Sequence, residues 1–207
     1  MKNIGFILLI LSLSLTTGCS WLGWGDDDED GDETADYTER DFYEKIQGSL
    51  DGKNYTVAIR NLQLLESQFP FGKYAEQAQV ELVYAHFMNK ETEAAHSAAE
   101  KFIRLHPRHP NIDYAYFMKG ISSYTVDSGI MSRITDTDLS NRDISGAKQS
   151  FSELTEFLTR FPDSQYGSYA KQRNIYLRNM IARNELAAAD YYLTVNTHVA
   201  AIRRANY

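Results

Sequence analysis

The sequence has little cysteine and little proline, and both shortages exclude whole classes of protein. A single cysteine in 207 residues excludes an intramolecular disulfide framework and any zinc site built from several thiolates. Four prolines and twelve glycines exclude a collagen-like repeat. The remaining composition, with 43% hydrophobic and 24% charged residues, is typical of a soluble globular chain rather than of a multispanning membrane protein or a largely disordered one.

Catalytic and metal-binding motifs are also missing from the sequence. It contains no nucleophile elbow, P-loop or dinucleotide-binding glycine pattern. His106 and His109 lie in a stiff turn with two prolines, and we expect no carboxylate to be fixed beside them. Residues 136–140 begin like a calcium loop, but Asn141 replaces the required glycine and Ala147 the bidentate glutamate. We therefore predict no enzyme activity, no catalytic residue, no cofactor and no metal site.

The N-terminus has the pattern of a secretory signal. Lys2 precedes an apolar run at 4–15 that is too short to span a bilayer comfortably, and small residues then lead to Cys19. This region resembles the bacterial lipobox, although Thr16 stands where leucine is usual. The resemblance implies cleavage before Cys19 and acylation of its thiol, with an ordinary signal peptide as the alternative. Ser20 resembles the signal for transport to the outer membrane.

The acidic excess is confined to the segment that follows. The chain has 28 acidic and 21 basic residues, and eight of the acids but no base lie at 26–36. Seven acids at 26–33 repel one another and bury no apolar surface, which favours a solvated tether over a calcium-binding run. From 37 to 207 the chain has 20 acids and 20 bases, so the body is neutral, and we predict no nucleic-acid binding. We predict a signal peptide at 1–18 and a disordered, lipidated acidic linker at 19–36.

The prolines mark a repeat in the body of the chain. Pro70, Pro107 and Pro162 each indicate a helix end, because proline disfavours helix at the preceding residue. Counting back 12, 8 and 5 residues from each proline gives a small–large–large pattern on one helix face, and counting forward eight gives an alanine. The predicted core positions are Ala58, Leu62 and Leu65; Ala95, Ala99 and Phe102; Ser150, Leu154 and Phe157; and Ala78, Ala115 and Ala170.

This period predicts an all-α fold, a tetratricopeptide-like α-solenoid of helix pairs, at 37–207. The first two of these prolines are 37 residues apart and the next two 55, which predicts an insertion at about 126–145. The pattern from His198 parallels that from Tyr55 but stops before its proline, so we expect an incomplete last repeat and a C-terminally truncated chain. The predicted helices span 37–47, 55–68, 74–89, 91–105, 112–126, 145–160, 166–183 and 185–193.

Three motifs resemble the BamD family, lipoproteins of the β-barrel assembly machinery of the outer membrane. They are FPFGKY at 69–74, FIRLHPRHPNIDY at 102–114 and FPDSQY at 161–166. The resemblance implies a non-catalytic scaffold, lipid-anchored on the periplasmic face of the outer membrane, that promotes assembly and insertion of β-barrel proteins. The implied partners are the barrel subunit BamA, the accessory Bam lipoproteins and segments of unfolded outer-membrane proteins.

The resemblance also implies which residues bind these partners. Arg204 corresponds to a family position implicated in contact with the barrel subunit, and Arg183 and Arg203 share its basic segment. From 160 to 207 there are seven bases and three acids. Solvated arginines are the alternative for Arg178, Arg183 and Arg203. The candidate peptide-binding residues are Tyr74, Arg104, Asn111, Asp113 and Tyr114.

Two alternatives stay open from the sequence. All the candidate peptide-binding residues except Arg104 also fit a role in stabilising the repeat turns, whereas Arg104 is suited to hold a terminal carboxylate with two hydrogen bonds. The alternative function is a tetratricopeptide-repeat lipoprotein scaffold for the cell-wall or division machinery. Such a protein has the same anchor, linker and solenoid.

Overall fold

The computed structural model describes residues 37–124 and 144–206, and over these residues the fold is entirely helical. The predicted signal peptide, Cys19 and the acidic linker lie outside the described residues, as does nearly all of the predicted insertion. The described helices are α1 (Glu39–Asp51), α2 (Tyr55–Gln68), α3 (Ala75–Met88), α4 (Thr92–Leu105), α5 (Ile112–Ser122), α6 (Ser145–Arg160), α7 (Gly167–Thr194) and α8 (His198–Ala205).

The three proline turns share one backbone geometry, as the predicted repeat requires. They connect α2 to α3, α4 to α5 and α6 to α7. In each, the residue after the helix has φ between −129° and −126° and ψ between 58° and 63°. Its N–H donates to the carbonyl four residues earlier, and two further N–H groups, three and six residues later, each donate three residues back. Proline fits each of these turns because the N–H that it lacks takes no part in these hydrogen bonds.

A second type of turn connects α1 to α2, α3 to α4 and α7 to α8. Each contains one residue in the left-handed region: Lys53 with φ 57°, Lys90 with φ 65° and Asn196 with φ 57°. In each, the N–H of the residue after it donates to the carbonyl five residues earlier, which closes the end of the preceding helix. The third turn places His198 at the same position as Tyr55, which is consistent with the predicted start of another repeat.

The core lies on the helix faces that the proline register predicts. All twelve predicted core positions are at most 1% exposed. Ser150, the one hydroxyl among them, donates a hydrogen bond of 2.6 Å to the carbonyl of Gly120. Each helix packs against the next along the described chain, α3 also packs against α5, and this succession is that of a solenoid.

The predicted break between helices at 183–185 is wrong. The structure has one helix there, α7, of 28 residues. The helix does not break there because Glu185 is 5% exposed and continues the buried face between Met180 and Ala189. The predicted helix at 112–126 is also too long, because α5 ends at Ser122.

Candidate functional site

Tyr74 is built into the contact between the first two helix pairs. Its ring stacks on that of Tyr43, with 4.3 Å between centroids and 10° between planes, and its N–H donates to the Glu39 carboxylate over 2.6 Å. The Tyr43 hydroxyl donates to Glu81 over 3.0 Å, and burial together with the Glu81 charge raises the pKa of Tyr43 to about 12. Tyr74 therefore stabilises a repeat turn.

Asp113 and Tyr114 make the corresponding contacts between α5 and the turn before α7. The Ser164 hydroxyl donates to Asp113 over 2.6 Å, and the ring centroids of Tyr114 and Tyr166 are 5.5 Å apart. Burial raises the pKa of Tyr114 well above its ordinary value, because the phenolate would be poorly solvated. Asp113 and Tyr114 therefore make contacts that fit the alternative role in stabilising a repeat turn.

Arg104 and Asn111 differ from the other three candidates because both are exposed. Asn111 precedes α5, and its side chain makes no capping hydrogen bond to that helix. Arg104 lies in the last turn of α4 and makes no ion pair with any residue in the described ranges. These two side chains are the predicted peptide-binding residues that a ligand can reach most directly.

The two histidines in the turn between α4 and α5 do have a carboxylate beside them, contrary to our expectation. Glu76 lies 3.5 Å from Nδ1 of His106 and 3.7 Å from Nε2 of His109. The N–H of Asn111 donates to Nδ1 of His109 over 3.0 Å, so a neutral ring carries its proton on Nε2, facing Glu76. Over the described parts of the chain, no group of three or more His, Cys, Asp or Glu side chains is placed to hold a metal ion.

A groove of about 630 Å³ lies between α6, α7 and α8. Its walls combine apolar side chains with cations at the basic end of the chain. The apolar residues are Phe151, Ile181, Ala182, Leu186 and Ala205, and the cations are Lys148, Arg178 and Arg204. Arg204 is thus placed in a concave surface with two further bases, as a binding role for this residue requires.

Glu185 is the acidic residue that lines this groove, and no sequence pattern indicated its role. Its two carboxylate oxygens accept separately from Lys148 Nζ at 2.8 Å and from Arg204 Nη1 at 3.0 Å. Burial alone would raise the pKa of Glu185, but the hydrogen bonds and charges of the two cations outweigh it and lower that pKa. Glu185 is therefore an ionised, nearly buried link between the three helices.

Arg183 and Arg203 do not join Arg204 in the groove. Both are exposed, neither lines the groove, and neither forms an ion pair with a described residue. The structure therefore separates the three predicted partner-binding arginines, and it adds Lys148 and Arg178 to the one that lines the groove.

Phe71 is a second surface residue that sequence reasoning missed. It is 99% exposed and directly follows Pro70 in the turn between α2 and α3. The equivalent positions in the other two proline turns are Arg108 and Asp163, both exposed charged residues. The signal in the sequence was an apolar residue at a position that is charged in the other repeats.

The comparison with known proteins identifies the family of this chain. The outer membrane lipoprotein family YfiO matches residues 35–207, a range that contains every helix of the described structure. The chain belongs to this family. No described helix has the length and hydropathy needed to cross a membrane.

Curated relatives of this chain are outer membrane protein assembly factors named BamD. The protein from Neisseria gonorrhoeae is 34% identical over 200 residues, which cover 96% of this chain and 74% of that protein. The Vibrio cholerae protein is 33% identical over 195 residues, covering 94% and 78%. The Xylella fastidiosa protein is 36% identical over 165 residues, covering 80% and 56%. Membership of the BamD family, predicted from three motifs, is confirmed.

Proposed function

We propose that this chain is a non-catalytic scaffold of the β-barrel assembly machinery, and that it promotes assembly and insertion of β-barrel proteins into the outer membrane. The observation that carries the proposal is the groove between α6, α7 and α8 on a solenoid of the BamD family. Solenoids of helix pairs act by binding, since stacked repeats present an extended surface to other chains.

The groove supports docking of the barrel subunit BamA. Apolar side chains such as Phe151 and Leu186 provide contact area, and Lys148, Arg178 and Arg204 favour a partner with acidic side chains. An arginine such as Arg204 binds a carboxylate with directional, charge-assisted hydrogen bonds. The proposed occupant is therefore a helix or loop of BamA that presents an acidic residue beside apolar ones.

The N-terminal half is the proposed surface for unfolded outer-membrane proteins and for the accessory Bam lipoproteins. Phe71 and Arg104 are both exposed there, the first as an apolar contact and the second as a cation. An unfolded barrel protein supplies apolar side chains and a terminal carboxylate, which are the groups that these two residues bind. Tyr74, Asp113 and Tyr114 hold the turns that position this surface.

The proposed location is the periplasmic face of the outer membrane, where an acylated Cys19 anchors the chain. Residues 19–36 act as the tether, and a fully extended tether of this length reaches about 60 Å. Replacement of Cys19 by serine tests the anchor. The variant is expected to incorporate no palmitate and to be absent from the outer membrane, whereas retention in the outer membrane contradicts a lipid anchor.

Site-directed photo-crosslinking in intact cells tests the docking proposal. A photoreactive amino acid at Leu186, exposed in the groove, is compared with the same amino acid at Gln63, exposed on α2. We expect position 186 to crosslink to BamA and position 63 not to do so. Crosslinks from position 186 to cell-wall or division proteins, without BamA, would contradict the proposal and support the alternative scaffold.

A further inference from the structure

The side chain of Arg204 is held in place although much of it is exposed. Arg204 lies on α8, a helix of eight residues, and 46% of its side chain is exposed. Its Nη1 donates to Glu185 over 3.0 Å, and the hydroxyl of Tyr192 also interacts with the guanidinium. A solvated arginine normally samples many rotamers, and ordering it on binding weakens the affinity.

Lys148 helps to keep the nearly buried carboxylate of Glu185 ionised, and an ionised carboxylate can hold Arg204. Lys148 Nζ donates to one carboxylate oxygen over 2.8 Å, which leaves the other oxygen for Arg204. Two cations and one anion leave this group with a net positive charge, to which Arg178 in the same groove adds another. The groove therefore stays attractive to an acidic partner despite its buried carboxylate.

We propose that Glu185, supported by Lys148, is a positioning residue for docking, which fixes the guanidinium of Arg204 in the orientation that receives a carboxylate of the partner. This inference rests on the proposed function, because it names how the same groove achieves its affinity. A guanidinium has five N–H donors in a rigid plane. Contacts along one side of that plane leave donors for an incoming carboxylate, and the order established before binding reduces the entropy lost on docking.

Glu185 also ties α7 to α6 through Lys148, so the test must separate its action through Arg204 from this simple stabilisation. A double-mutant cycle does so with the variants Glu185→Gln and Arg204→Ala. If Glu185 acts through Arg204, the glutamine variant weakens binding only while Arg204 is present. If it acts through its contact with Lys148 on α6, which does not involve Arg204, it weakens binding equally in both backgrounds.

The affinity is measured between the full chain, purified in detergent, and the purified periplasmic domains of BamA, at a temperature where circular dichroism shows every variant folded. We expect Glu185→Gln to weaken binding about three- to tenfold, the cost of ordering one long side chain, mainly through faster dissociation. In the Arg204→Ala background we expect no further loss. Glu156→Gln is the matched control, since Glu156 pairs with Arg160 on α6 but does not line the groove.

Two results overturn the inference while leaving the proposed function intact. One is a wild-type chain that binds BamA with an affinity unchanged by Glu185→Gln. The other is an equal loss with and without Arg204. A wild-type chain that does not bind the domains overturns the docking proposal, and this inference with it.

Discussion

Gly120 is the residue on which the close approach of α5 and α6 depends. A Cβ atom at this position would lie 2.6 Å from Leu154 Cδ2 and 3.2 Å from the Leu154 backbone nitrogen. The buried bond from Ser150 to the Gly120 carbonyl keeps the helices from moving apart. We expect Gly120→Ala to lower the free energy of unfolding by about 1–3 kcal/mol, the cost of overpacking, measured by urea denaturation.

Gly48→Ala is the matched control for this substitution. Gly48 lies inside α1, is exposed, and a Cβ atom there would have no other atom within 4 Å. Alanine is the better helix former, so Gly48→Ala should raise the free energy of unfolding by about 0.5–1 kcal/mol. If both substitutions stabilise the protein, α5 and α6 are not as close as the structure has them.

At the scale of elements, Glu91 joins α3 to α4 and gives their contact a pH dependence. Its carboxylate lies 2.6 Å from His86 Nδ1 and also 2.6 Å from Asn89 Nδ2. The hydrogen bond with His86 is the main cause that lowers the pKa of Glu91 below 4.5. A carboxyl group whose pKa is lower in the folded state stabilises the fold at pH values above its unfolded-state pKa. This stabilisation is lost as the pH falls through the folded-state pKa.

The stability difference between wild type and Glu91→Gln should therefore depend on pH. We expect the wild type to be the more stable protein at pH 7 and its advantage to shrink as the pH falls below about 4.5. Urea denaturation at a series of pH values between 7 and 3 measures this. Glu93→Gln is the control, an exposed glutamate that hydrogen-bonds no described residue. A difference that stays constant over the series would contradict the role of Glu91.

The continuity of α7 can be tested where the sequence predicted its end. Asn184→Pro removes a helical hydrogen bond and introduces a clash, at a cost of about 3 kcal/mol or more inside a helix. We expect this loss in urea denaturation, together with a loss of helical signal in circular dichroism. Asn184→Ala removes the same side chain without a proline ring and should cost far less. Equal stability of the two variants would show that the chain does break there.

The proline register predicted the core because it depends on local spacing along each helix. Leu65 and Phe102, for example, stand five residues before their prolines, and both are fully buried. The continuity through Glu185 was not predictable in this way, because its burial requires Lys148 and Arg204, which lie 37 and 19 residues away in the sequence. The left-handed Lys90 was also missed, since lysine has no preference for that conformation.

In the candidate site, too, the sequence predicted the local features but not those that depend on contacts between distant residues. The exposed bases near the C-terminus were visible as a local charge bias, and Arg204 does line a groove. Which of the arginines share that groove depends on how α6, α7 and α8 pack. Tyr74 and Tyr114 were singled out by their motifs, but only their partners Tyr43 and Tyr166 reveal that they hold repeat turns.

Over the described solenoid as a whole, the contacts that stabilise the fold lie between neighbouring helices, whereas the proposed binding surface is the groove between α6, α7 and α8. Each described helix packs against its neighbours in the chain, so the repeats stabilise one another locally. Leu186 on α7 is more than half exposed, and it lines the groove together with the cations Lys148, Arg178 and Arg204. In the proposed function, this apolar and basic groove on a neutral body is the feature that directs one acidic partner to one place.

We propose that this chain promotes β-barrel assembly by docking on BamA through the groove between α6, α7 and α8. The most direct measurement is the rate at which an unfolded outer-membrane barrel protein folds into liposomes that contain BamA of the same organism. We predict that the chain accelerates this folding and that the folded variant Arg204→Glu does so much less, because it reverses a charge in the groove. An equal folding rate with the chain, with the variant and without either would contradict the proposed role of the chain and its groove.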